Sequence, residues 1–183
     1  MAERVRRTAR EMGIAAEGVE LLATTHERAM APRLAAISDD HDPAYLHPGR
    51  TAAILLDDLA MVDAEWIAAS MLVDTARSDL EPRGETLQGL PQDVIERSRE
   101  LPRPGSQTLV EDLLALEPVA LEVALAERLD HLRHIHLWDD TEQASQVYIH
   151  AVETYSRVAA RSHPKLARRY AWWTRTFARK FPT

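Results

Sequence analysis

The amino-acid sequence predicts an all-α fold, and three observations carry that prediction. Ala and Leu are abundant, while the 183 residues include only 6 glycines, a composition that favours helix. Apolar residues recur at spacings of three and four, and strand-like alternation is nearly absent. Turn signals fall between the periodic stretches: Gly13, the run from Ser38 to Tyr45, Pro102 with Pro104 and Gly105, Asp139-Asp140-Thr141, and His163-Pro164.

Taken in order, residues 2–12 form a short helix ending at Gly13. Its Arg4, Arg6, Arg7 and Arg10 read as solvated. Ala16 to about Met30 is a helix with Val19, Leu22, Ala23 and His26 on one face, and it can continue past Pro32 to Ile37. His26 on such a face reads as a satisfied packing histidine. Ser38 to Tyr45 is an acidic, turn-rich loop whose Asp39, Asp40, His41 and Asp42 lack regular ligand spacing. His47-Pro48 opens the next helix, which runs through Leu59 with Ala52, Leu55, Leu56 and Leu59 as its buried stripe.

Asp63 caps the following helix, with Trp66 at its third position. Arg83 to Glu85 is a turn, and Asp93 to Glu100 a short helix after Pro91. Helical pattern resumes at Thr108 and is interrupted at Glu117-Pro118. Val119 to Trp138 is expected as one helix, with Ala120, Ala124, Glu127, His131 and His134 sharing a face. A long helix with Ala144, Val147, Tyr148, Ala151, Val152, Tyr155 and Val158 follows. The last, Lys165 to Phe181, packs through Tyr170, Trp173 and Phe177. This is a bundle of about eight helices, with residues 1–15 as an N-terminal extension and 16–183 as a single domain. The break at Pro102 to Gly105 reads as a lid or spacer, because few residues follow it.

Charge and composition exclude several functions. A net charge of −7 argues against a general nucleic-acid binder. From Thr154 onward there is no Asp or Glu, yet eight basic residues. That run reads first as a solvated helical face and second as a patch for an anionic partner. The absence of cysteine removes disulfides and thiolate metal sites, and fits a reducing cytoplasm. No apolar run reaches the roughly 20 residues of a membrane span. Gly-rich phosphate loops, Ser/His/Asp order and zinc-finger spacing are absent as well.

Two positions stand out chemically. Asp74 falls at i+7 from Ile67, in line with Ser70 and Met71, so a carboxylate continues an apolar face. A core-facing carboxylate is costly unless it meets a cation, a metal or donors, and Arg77 is the local candidate cation. Glu127 with His131 and His134 offers a second set of donors, readable as a metal edge or as a solvent-facing arrangement.

At these residues the chain resembles the hydrolase domain of RelA/SpoT-type proteins, within the HD-domain metal phosphohydrolases. Three segments carry the resemblance: PAYLHPGRTAAILLDDL, EWIAASMLVDTARSD and VALAERLDHLRHIH. It implies an HD-type helical bundle. It also implies Mn²⁺, with Mg²⁺ as alternative, held by two His and two Asp and activating a water against the 3′-pyrophosphate of guanosine tetraphosphate or pentaphosphate.

By that resemblance His47 matches the first His, Asp74 the first Asp, and Glu127 stands for the second Asp. Arg50, Arg77, Arg128, His131 and Arg133 become substrate-binding positions. Val73 stands in place of the second His, and Arg77-Ser78 in place of the Glu-Asp pair that handles the attacking water. Ser38 and Asp39 stand where relatives use Arg and Lys to grip the nucleotide. Ligand, base and clamp are thus altered together, so no catalytic residue is assigned. The expected function is a nucleotide-binding or regulatory homologue, weakly active or inactive. The alternative is an active phosphohydrolase with a changed metal shell or substrate. A guanine nucleotide or another phosphorylated small molecule is the expected partner. Self-association through the basic C-terminal helix or the N-terminal extension is a third reading.

Overall fold

A computed structural model of the chain describes residues 1–36, 46–77 and 87–181, with residues 33–36 and 77 described for the backbone only. The expectations for the 38–45 loop, Ser78 and the Arg83–Glu85 turn lie outside the described residues, as does that for the Arg77 side chain. Every regular element among the described residues is helical. The chain divides into two compact units, Met1–Leu101 and Pro102–Thr183, whose boundary in sequence falls at the Pro102 break.

The first unit is built on α2 (Ala16–Ala36) and α4 (Ala64–Arg77), which pack against each other. α1 (Ala2–Glu11) lies on α2, and α3 (His47–Ala53) and α5 (Gln92–Glu100) both pack on α4. Leu22, Leu55, Leu56, Ile67, Met71 and Leu72 are fully buried and form its core. The predicted N-terminal helix is docked: Val5 and Ala9 are buried, and Arg4 pairs with Asp57. It ends at Gly13, whose φ of +79° is the left-handed conformation that a glycine adopts without a Cβ clash. Pro32 sits within α2 without ending it, as expected.

Local signals explain α3 and α4. Pro48 in the first turn has no N–H to leave unsatisfied. After Ala53 the helix widens into a π-helical segment, Ile54–Asp58, and stops at Ala60. There φ is +56° and the Ala60 N–H closes back on the Leu56 carbonyl at 3.2 Å, an αL ending with Ala where Gly is usual. Asp63 Oδ1 then accepts from the N–H groups of Glu65 and Trp66, both at 3.1 Å, and starts α4 as predicted. The Arg97 guanidinium of α5 ties back to α4, 2.8 Å from Glu65 and 4.9 Å above the Trp66 ring.

The second unit contains α6 (Leu109–Leu114), α7 (Pro118–Leu132), α8 (Thr141–Ala151) and α9 (Pro164–Phe177). Asp140 caps α8 by accepting from the Gln143 N–H at 2.9 Å. α8 continues through a π-helical segment, Val152–Ser156, into Arg157–Ala159. The aromatic residues of α9 hold the unit together. Tyr170 donates to the Leu125 carbonyl (2.8 Å) and Trp173 to the Leu132 carbonyl (3.0 Å), while Tyr148 of α8 donates to the Thr174 carbonyl (2.9 Å). Trp173, Phe177 and Phe181 stack in sequence, and the Tyr148 ring lies tilted against Trp173 and Phe181 in the same cluster. The expected core role of this stripe is therefore observed.

One predicted element is shorter than expected. α7 stops at Leu132, not Trp138, and a separate 3₁₀ turn covers Ile135–Leu137. His134 bends back at this point: its Nδ1 donates to the Asp130 carbonyl at 2.7 Å, and its N–H bonds to the His131 carbonyl. Because these local bonds satisfy the carbonyls at the end of α7, His134 does not continue the Glu127–His131 face.

Candidate functional site

In the first unit, His47 and Asp74 are brought together by the packing of α3 on α4. His47 is the first residue of α3 and is almost fully buried. Its Nδ1 lies 3.5 Å from Thr51 Oγ1, at the long limit of a hydrogen bond. Its Nε2 faces Asp74 Oδ2 at 3.9 Å. Asp74 continues the face of Ile67, Ser70 and Met71, which are all buried, but its own side chain is 33% exposed. It thus sits at the margin of the core with its carboxylate turned toward the imidazole.

Val73 is 1% exposed and packed in the apolar core. It offers no donor atom, so the second imidazole that the resemblance calls for has no substitute on that residue. Arg50, on α3, is half-buried.

In the second unit the helical spacing predicted for Glu127 and His131 gives a direct pair, with Nε2 and Oε1 3.2 Å apart. Glu127 is buried and the His131 side chain is 29% exposed. The neighbouring Arg128 lays its guanidinium 5.5 Å from the centre of the Tyr155 ring, with Nε buried and lacking a hydrogen-bond acceptor. Arg133 follows the last turn of α7 and is half-buried.

Each of His47, Asp74, Glu127 and His131 presents one atom able to ligate a metal. Neutral imidazole and carboxylate together suit a divalent cation of borderline to hard character. The donor chemistry of both pairs fits such an ion. In the His47–Asp74 pair, a cation about 2.1 Å from each ligand atom spans separations up to about 4.2 Å, which includes the 3.9 Å observed.

The structure corrects one expectation, that His26 is a satisfied packing histidine. His26 on α2 is buried as expected, yet its Nε2 has no hydrogen-bond partner, and the Oγ1 of neighbouring Thr25 is in the same condition. Burial lowers the His26 pKa from its ordinary value, and the N-terminal amine and Arg6 lower it further. The neutral imidazole is therefore the stable form. Its position on an apolar stripe was visible, but the lack of a partner is a property of the packing.

The structure leaves all helices too short or too polar to cross a membrane, among the described residues. No family model, no curated protein and no solved structure matches the chain.

Proposed function

We propose that this protein is a degenerate HD-type phosphohydrolase relative that binds a guanine nucleotide or another phosphorylated small molecule without efficient turnover. The reading assigns a divalent cation, Mn²⁺ or Mg²⁺, to His47, Asp74 and Glu127, the three positions that the resemblance to RelA/SpoT-type hydrolase domains joins into one ligand set. The observation that carries it is the His47–Asp74 pair beside a core-packed Val73. An imidazole and a carboxylate remain at cation-ligating separation, while the adjacent position is apolar. When bound, the cation would supply Lewis-acid polarisation of phosphoryl oxygens. His47 and Asp74 would orient it. Arg128, whose Nε lacks an acceptor, would offer a planar fork to a phosphate. No residue of the described chain is assigned as general base, since Arg77 and Ser78 occupy the positions of that pair.

Titration calorimetry with Mn²⁺ on the wild type and on Asp74→Asn tests the reading. One Mn²⁺ bound by the wild type and lost in the variant supports it. No binding by the wild type refutes the metal assignment. Metal-dependent hydrolysis of guanosine tetraphosphate that Asp74→Asn abolishes would replace the non-hydrolytic reading with the active one.

A further inference from the structure

The outer face of α9 carries a stripe that neither the fold nor the proposed site uses. Lys165, Arg168, Trp172, Arg175 and Arg179 follow one another at intervals of three and four residues. Arg179 lies in the helical turn that continues α9. The opposite face, through Leu166, Tyr170, Trp173 and Phe177, is buried. All five residues of the stripe are exposed, and Trp172 is 55% exposed. Among the described residues none of the four cations has an ion-pair partner. There is also no acidic residue from Thr154 to the C-terminus, although the chain as a whole has a net charge of −7. The C-terminal stretch is thus free of negative charge, and one flat aromatic ring stands amid the cations of the stripe.

We propose that this face binds single-stranded nucleic acid, with Trp172 stacking on an unpaired base and the flanking cations contacting phosphates. At about 1.5 Å per residue, Arg168 and Arg175 lie about 6 and 4.5 Å along the axis from Trp172, and the stripe spans about 21 Å. A strand rising about 3.4 Å per nucleotide places about six phosphates along that length, fewer when extended. Four exposed cations, without ion-pair partners among the described residues, and an exposed indole supply the positive charge and the stacking platform by which single strands are bound without sequence preference.

A membrane surface fits less well, because insertion needs an apolar face and that face of α9 is buried in the unit. A second copy of the chain fits less well too, since a two-fold interface would set this cationic stripe against itself. The inference is independent of the metal assignment, which involves neither α9 nor any residue of the stripe.

The test is fluorescence anisotropy of a labelled oligouridylate of about twelve nucleotides, from about 50 to 200 mM salt. The proteins are the full-length wild type, Trp172→Ala and the double variant Arg168→Gln/Arg175→Gln. Circular dichroism confirms that these exposed substitutions leave the helix content unchanged. Wild-type binding is expected to weaken with salt, with a log–log slope of up to about −2.8 for four neutralised phosphates, and to quench indole fluorescence. Trp172→Ala is expected to weaken binding by about fivefold or more. The double variant is expected to reduce the slope by about 1.4. Absence of wild-type binding at the lowest salt overturns the proposal, as does binding that ignores both sets of substitutions. Stripe-dependent binding to phosphatidylserine vesicles, or stripe-dependent self-association in sedimentation, without oligonucleotide binding overturns it as well and assigns the face to that partner.

Discussion

Acidification should destabilise this protein through His26, and the size of the effect follows from its setting. The side chain is 6% exposed and its Nε2 has no acceptor. Burial, the N-terminal amine and Arg6 all lower its pKa below the ordinary 6.5. The unfolded chain therefore binds this proton more readily than the folded one. The corresponding stability is fully present above pH 6.5. It is lost as pH falls from there toward the lowered folded value. Each pH unit within that window costs at most about 1.4 kcal/mol from this group alone.

Urea unfolding at a series of pH values, for the wild type and His26→Leu, isolates the contribution. The leucine keeps an apolar side chain in the site and removes the titrating group. The wild-type curve should fall more steeply below pH 6.5 than that of the variant. The variant should also equal or exceed the wild type at pH 5.5, because replacing an unsatisfied buried polar group with an apolar one is close to neutral or stabilising. Parallel pH dependences would refute the argument, since they would mean that His26 is protonated equally in the folded and unfolded chain.

Two further substitutions probe the packing. Gly49→Ala would set a Cβ 2.9 Å from His26 Nε2 and against the Met1 side chain. Met1 can move but the buried imidazole cannot, so a loss of about 1–3 kcal/mol is expected in urea unfolding. Adding His26→Ala to Gly49→Ala should then cost less than the sum of the two separate losses. Tyr170→Phe removes the hydroxyl that donates to the Leu125 carbonyl in a fully buried setting, and should lower stability by about 1 kcal/mol with no change in helix content.

The chain shows how far local signals reach. Helix starts were legible because their causes are local: Asp63 and Asp140 cap with their own side chains, and Pro48 and Pro164 need no N–H in the first turn. The aromatic stripe of α9 was legible from spacing alone, as was the placement of Glu127 and His131 one turn apart. The π-helical widenings at Ile54–Asp58 and Val152–Ser156 were not, because the same apolar spacing suits a regular helix. Neither was the end of α7, where the His134 side chain competes for backbone carbonyls that a periodic pattern does not represent.

The sequence by itself determined that the chain is helical, where most helices begin and which faces are apolar, since propensity, capping and periodicity act over a few neighbouring residues. Only the tertiary structure decided that α1 docks on α2, that His47 and Asp74 stand 3.9 Å apart, that His26 is buried with its Nε2 unsatisfied, and that Trp172 is left outside while Trp173 is sealed in. Those outcomes depend on which residues, far apart in sequence, compete for the same interior space, and that competition is settled by packing alone.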